Sequence, residues 1–260
     1  MKSAERQQVI VARLRDADQV GVAELAAATG ASEMTVRRDL DNLASRGVLR
    51  RVHGGAVPAS PSGVEPPFAA RATAAVAAKR AIAAAAAELI RDGETVVLDS
   101  GTTALELARL LRDRPVTVMP LSLHAARELA DAPDVRLLLP GGEPRPGEQA
   151  LVGPLTLASL RALRFDVAVL SPCAFGLDEG LTAFDLADAE VKRQALAVSA
   201  RAIVLADGAK WGRAALAHVC PAERPDVVIT DPGAPEDQRA ALTERGVLVH
   251  VAVPTTTESR

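Results

Sequence analysis

Cysteine is nearly absent: the 260-residue chain holds only Cys173 and Cys220, with none of the paired spacing that zinc or redox sites use. That excludes a disulfide framework and a structural metal site, and neither a metal nor another cofactor is expected. The longest apolar run, Ala81 to Ile90, is too short to cross a bilayer and is interrupted by Glu88. The start of the chain, MKSAERQQVI, is charged and does not read as a signal peptide. A cytoplasmic protein with no membrane contact is expected. The patterns GxxxxGK(S/T), GxGxxG and GxSxG do not occur. Nucleotide hydrolysis, dinucleotide redox chemistry and α/β-hydrolase catalysis thereby lose their usual signals. Lysine is scarce, with Lys2, Lys79, Lys192 and Lys210 the only four among 30 basic residues. In a chain this biased towards arginine, a lysine inside a motif-like segment is there for its chemistry.

Hydrophobic residues make up 48% and charged residues 24%, so a packed core is within reach, although much of the apolar material is alanine. The net charge of −3 is unevenly spread. Residues 1–57 carry nine Lys/Arg against seven Asp/Glu, a balance of +2, which leaves −5 for the remainder. A mildly basic piece ahead of an acidic body permits nucleic-acid binding at one end.

The segment Val57-Pro-Ala-Ser-Pro-Ser-Gly-Val-Glu-Pro-Pro67 holds four prolines in eleven residues and reads as an exposed linker. The expected divisions are a small domain over 1–57, a linker over 58–75, a larger domain over 76–255 and a tail over 256–260. Beyond the linker, short Val/Leu/Ile-rich runs alternate with helical stretches. Strands are predicted near 95–99, 116–119, 135–139, 166–170, 202–206, 226–230 and 247–253. Helices are predicted over 76–91, 103–112, 122–131, 154–163, 186–200 and 235–245. This alternation predicts an α/β domain, a doubly wound and mostly parallel sheet covered on both faces.

Ahead of the linker, apolar spacing predicts helices over 3–15, 22–29 and 33–45. Gly30 suits the end of the second helix and Ser32 the N-cap of the third. In the third, Val36, Leu40 and Leu43 face inward, which points Arg38 outward, with Met34, Thr35 and Arg37 beside it. Two arginines on a short helix after a tight turn suit a recognition helix, one reading a guanine edge and the other a phosphate. Val48–Val52 and His53–Val57 read as a β-hairpin wing, placing Arg50, Arg51 and His53 against the DNA backbone. The expected contact set is therefore Ser32, Met34, Thr35, Arg37, Arg38, Arg50, Arg51 and His53.

The stretch Val22-Ala-Glu-Leu-Ala26, the run Gly30-Ala-Ser-Glu-Met-Thr-Val-Arg-Arg-Asp-Leu40 and the run Gly47-Val-Leu-Arg-Arg-Val-His-Gly-Gly-Ala56 resemble the signature of the DeoR family of bacterial transcriptional regulators. The resemblance extends through Asp99-Ser-Gly-Thr-Thr103, Gly141-Gly142, Val152-Gly153, Gly180-Leu-Thr182, Glu190-Val-Lys192 and Ala206-Asp207 with Lys210. It implies a winged helix-turn-helix joined to a domain that resembles ribose-5-phosphate isomerase and glucosamine-6-phosphate deaminase but senses phosphorylated sugars. It implies double-stranded operator DNA and a phosphorylated sugar or related effector as partners, and a homo-oligomer. The residues alone also support a phosphate site, since Gly101 with Ser100, Thr102 and Thr103 opens a helix after a strand. Asp99 stands at that strand's carboxyl end, where open α/β sheets bind ligands.

The expected effector site is Asp99, Ser100, Gly101, Thr102, Thr103, Ser122, Glu190, Lys192 and Lys210. Two departures from the family pattern, Pro120-Leu-Ser122 and Cys173-Ala-Phe-Gly176, predict a less polar pocket around Leu121 and Phe175. The leading expectation is a repressor of carbohydrate-metabolism genes. The alternative is a sugar-phosphate isomerase or deaminase with a DNA-binding head, using Asp99, Asp185, Glu190 and Lys192 as acid–base groups.

Overall fold

The computed structural model describes residues 3–15, 17, 20–45, 49–52, 54–58 and 65–254. The chain divides into two compact units, Met1–Pro66 and Pro67–Arg260.

The first unit runs α1 (Ser3–Arg15), β1 (Val20–Gly21), α2 (Val22–Thr29), α3 (Glu33–Ser45), β2 (Leu49–Val52) and β3 (Gly55–Pro58). Ile10 and Leu14 of α1, Leu25 of α2, and Val36, Leu40 and Leu43 of α3 form one core with Leu49 and Ala56. The inward face of α3 is the one its spacing predicts. Each such side chain contributes about 1.5–3 kcal/mol of transfer free energy. Gly30 ends α2 in the left-handed region at φ 65°. The three strands order β1-β3-β2, antiparallel, with Arg51 opposite Ala56 and Val52 opposite Gly55. A side chain at Gly55 would collide with the Val20 carbonyl, so the close pairing of β1 on β3 requires glycine there.

The second unit opens with α4 (Phe68–Thr73) and α5 (Val76–Leu89), then β4 (Thr95–Leu98), α6 (Thr102–Leu111), β5 (Thr117–Pro120), α7 (Leu123–Leu129) and β6 (Arg136–Leu137). A hairpin of β7 (Glu143–Pro144) and β8 (Leu151–Val152) leads to α8 (Pro154–Arg161) and β9 (Phe165–Leu170). Next come β10 (Ala174–Gly176), β11 (Gly180–Ala183), α9 (Leu186–Ala197), β12 (Ser199–Leu205) and a 3-10 turn at Gly208–Lys210. The unit closes with β13 (Ala217–Cys220), β14 (Val227–Thr230), α10 (Glu236–Glu244) and β15 (Leu248–Val251). Residues 68–73, inside the stretch expected as linker, are helical, with Phe68 buried.

Seven strands form one sheet in the order β15-β14-β12-β9-β4-β5-β6, and every pairing is parallel. Side chains alternate across it. Val96 and Leu98 face one core layer with Val167, Val169, Ile203 and Leu205. Val97 faces the other with Ala168, Leu170 and Val204. Alanines Ala83 and Ala86 of α5 and Ala104 and Ala108 of α6 share the first layer, so the alanine-rich helix is core material. Leu160 of α8, Val191 and Ala195 of α9 and Leu242 of α10 fill the second. Apolar burial on both sides explains why the strands read as unbroken apolar runs.

From β4 the chain winds outward through β5 and β6 in one direction. From β9 it winds through β12, β14 and β15 in the other. The reversal lies between β4 and β9, and the crevice beyond their carboxyl ends is the switch point at which such sheets bind ligands. A separate antiparallel sheet, β10-β11-β13, was not predicted. Its three or four buried residues per strand carry no alternation to betray them.

Candidate functional site

On the first unit, α3 presents the residues expected at DNA. Ser32 caps it: its hydroxyl accepts from the Thr35 amide at 3.3 Å and bonds the Thr35 hydroxyl at 2.9 Å. Met34 is 76% exposed, unusual for its type. Arg37 is exposed and pairs loosely with Glu33 one turn back at 3.2 Å. Arg38 is exposed and has no ion-pair partner among the described residues. Arg51 points back to Asp41 of α3 at 3.3 Å, so it ties the wing to the helix. The expected contacts at His53 and at the Arg50 side chain lie outside the described residues.

Asp39, within the Arg-Arg-Asp-Leu run, was not singled out from the sequence. It is buried and gathers Arg6, the Ser3 hydroxyl at 3.3 Å and the Gln7 amide at 3.4 Å, clamping α1 onto the back of α3. Burial opposes its charge, but the bonds from Arg6, Gln7 and Ser3 prevail and hold its pKa below the ordinary carboxylate value. The clamp fixes the helix whose other face carries Arg38.

On the second unit, the turn after β4 brings most of the expected effector residues together. Asp99 is 1% exposed, and its two oxygens accept from the amides of Ser100 at 2.7 Å and Ser171 at 2.8 Å. The loops after β4 and β9 are thus joined across the switch point. Gly101 holds φ 119°, and a Cβ there would lie 3.0 Å from the Ser171 hydroxyl, so backbone angle and space both demand glycine. It precedes α6 without offering a capping side chain. The first amides of that helix, flanked by the buried Thr102 and Thr103, keep the dipole's positive end open.

Lys192 comes from α9 and is 1% exposed. Its ammonium donates to both oxygens of Asp99 at 2.6 Å and lies 3.3 Å from Asp188. Burial works against its charge, yet the Asp188 and Asp99 carboxylates outweigh it and raise its pKa far above the ordinary lysine value. Lys192 is therefore a charged, already paired group that holds the Asp99 turn. It was expected to line the effector site, and it stands there already paired with two carboxylates. Asp188 went unnoticed in the sequence, although its position four residues before Lys192 on a helix was the available signal.

Other expected residues separate. Glu190 is exposed on the side of α9 away from buried Lys192 and takes no part in this group. Ser122 is buried and caps α7, accepting from the His124 amide at 3.1 Å. Lys210 is half-buried and ends the 3-10 turn that Asp207 caps. Leu121 and Phe175, expected to line the pocket, are instead core residues, and Phe175 meets Trp211 edge-on at 4.7 Å. Asp185 caps α9. Among the described residues no group of three His, Cys, Asp or Glu is placed to hold a metal, and no helix is long and apolar enough to cross a membrane.

A helix-turn-helix head followed by an α/β unit whose sheet reverses between β4 and β9 is the architecture of a transcriptional regulator with its own sensor, and the comparisons agree. Residues 6–62 match the family described as DeoR-like helix-turn-helix domain, and residues 74–232 match the DeoR C terminal sensor domain. A putative aga operon transcriptional repressor of Escherichia coli O157:H7 is 36% identical over 251 residues, 95% of this chain and 93% of its own. The HTH-type transcriptional regulator GlpR of Haloferax volcanii is 34% identical, covering 96% of this chain and 98% of its own. The glycerol-3-phosphate regulon repressor of Escherichia coli K12 is 30% identical, covering 95% and 98%. The chain belongs to the DeoR family of transcriptional regulators. It is a regulator and not the isomerase or deaminase that the residues alone left open. Among solved structures, ribose-5-phosphate isomerase A of Methanocaldococcus jannaschii aligns over 51% of this chain and 53% of its own, at 19% identity and TM-score 0.37.

Proposed function

We propose that the protein is a cytoplasmic repressor of carbohydrate-related genes that leaves its operator when a phosphorylated metabolite occupies the β4/β9 crevice. The observation that carries this is the uncapped start of α6 at the switch point, beside the buried Asp99–Lys192–Asp188 group. A phosphate on those amides gains the helix dipole and several donors at once. Sugar hydroxyls are the natural partners of the polar turn that follows β4. The names of the aga operon and glycerol-3-phosphate relatives support the same chemical class.

DNA is held by α3, with Arg38 towards base edges and Arg37 towards phosphate. One head covers one half-site, so a homodimer or larger assembly supplies the second. The effector releases DNA by its differential affinity for the two arrangements of that assembly. The test is a thermal-shift screen of sugar phosphates followed by operator titration with and without the compound that stabilises. A true effector at a hundred times its Kd adds about 2.7 kcal/mol of stability. The expected outcome is stabilisation, loss of operator affinity and no turnover of the compound. Stabilisation accompanied by isomerisation or deamination would overturn the reading.

A further inference from the structure

The helix α4 is only six residues long, too short to persist unaided, and it opens the second unit with Pro67 at its N-cap. Three side-chain contacts hold it. Phe68 stacks on His124 of α7, with ring centroids 4.0 Å apart and planes 10° from parallel. Arg71 lies over the same Phe68 ring at 5.7 Å and pairs with Glu148. Lys79, in the first turn of α5, donates its ammonium to the carbonyls of Arg71 and Ala74, the latter at 2.7 Å. The Arg71 carbonyl also accepts from the Ala74 amide at 3.3 Å, so the ammonium adds a second donor at the end of α4.

Lys79 is used unusually. It is 4% exposed, yet among the described residues it makes no ion pair, and backbone carbonyls are its partners. Burial lowers its pKa, and Lys210 and Arg71 push the same way against Asp207 and Glu106. Lys210 and Asp207 belong to the turn after β12, and Glu106 belongs to α6. Arg80, the next residue, pairs with Glu106 at 3.4 Å, and α4 packs on α6. Lys79 thus ties the end of α4 to a helix whose next residue reaches α6.

The same corner holds the unit's two backbone anomalies and, among the described residues, one of its two buried unpartnered polar atoms, the other being Gln238 Oε1. Among the described residues, Ala75 at φ 50° and Gln149 at φ 54° are the only two other than glycine in the left-handed region. Ala75 joins α4 to α5, and Gln149 follows the Glu148 that holds Arg71. Gln149 also accepts from the Leu123 amide through its carbonyl, at the start of α7. His124 Nε2 is buried without a hydrogen-bond partner. Strain and an unpaired polar atom gathered in one place mark an element held against tension.

We propose that Lys79 is a latch on α4, and that an anion bound at the start of α6 draws the ammonium away and frees the helix. This rests on the effector site proposed above. An anion is a stronger partner for an ammonium than two carbonyls, and the exchange removes the charged donor from the end of α4.

Hydrogen–deuterium exchange on the full chain, with and without inorganic phosphate, tests the latch. Binding is followed in parallel by thermal shift. Phosphate is expected to raise the melting temperature and to speed exchange across residues 68–74, while the β4 and β9 amides slow. Lys79→Met is expected to show fast exchange across 68–74 without phosphate and to bind phosphate about tenfold more weakly. Phe68→Ala loosens the same helix from its other end, so it is expected to exchange fast and, because binding and release of α4 are linked, to bind phosphate at least as tightly as the wild type. Phosphate binding with unchanged exchange across 68–74 overturns the latch and leaves the effector site standing. No phosphate binding to the wild-type chain, or binding unaffected by Gly101→Ala, overturns both. Should Lys79→Met not fold, weakened phosphate affinity in Phe68→Ala overturns the proposal by itself.

Discussion

Lys192, Asp99 and Asp188 form a buried group with two carboxylates to one ammonium, and removing the cation leaves both anions uncompensated. Lys192→Ala is therefore expected to destabilise the sensor unit by about 3–5 kcal/mol, a cost incurred before any effector is present. Trp211, the only tryptophan, is buried in that unit, so its fluorescence during urea unfolding reads the loss there alone. Adding Asp99→Asn to Lys192→Met is expected to restore part of it. Unchanged unfolding in Lys192→Ala would remove the group from any structural role. Asp39 sets a pH dependence in the other unit. Its folded pKa lies below the unfolded value, so its stabilisation is complete above the ordinary carboxylate range and is lost as pH falls through the folded pKa. Helical circular dichroism of the wild type is expected to lose thermal stability on that acid limb. Asp39→Asn is expected to start lower and to show a flatter dependence.

At the scale of elements, α3 and the turn into α6 carry the functional predictions. Arg38→Ala is expected to cost about 1–3 kcal/mol of operator affinity and to relax specificity at one base position. Arg37, which is solvated and weakly held by Glu33, is expected to act uniformly, so Arg37→Ala lowers the salt-dependence slope by about one across all sequences. Operator titrations at several salt concentrations separate the two, and wild-type behaviour of the double variant would take recognition away from α3. The turn into α6 tolerates no side chain, since φ 119° and the Ser171 hydroxyl both oppose one. Gly101→Ala is expected to cost about 1–3 kcal/mol of stability from backbone strain. It is also expected to abolish the thermal response to sugar phosphates while operator binding persists.

At the scale of the whole molecule, the two units each bury a core of their own. Cleavage between Pro58 and Pro67 is expected to release an acidic fragment that unfolds cooperatively and ignores DNA. The small fragment is expected to bind operator weakly, for lack of a second half-site. Aggregation of the large fragment with exposed apolar surface would place the boundary elsewhere.

The class of fold was legible in the chain because both of its signals are local. The spacing of Val36, Leu40 and Leu43 and the apolar runs of β4, β9, β12 and β14 follow from which face is buried, and periodicity records that directly. The Ser32 cap and the turn at Gly101 were legible for the same reason, since capping and φ are decided within a few residues. What Lys192 and Lys79 do was not legible. Their charges are consumed by Asp99, 93 residues away, and by carbonyls at the end of a helix that proline-rich sequence had disguised as linker. The contrast between exposed Glu190 and buried Lys192 was likewise settled by packing of α9 on the sheet. Local sequence determined the elements and where the crevice opens. Only tertiary structure decided which charges remain free to meet a ligand, because pairing of buried ions depends on partners that the sheet order brings from distant parts of the chain.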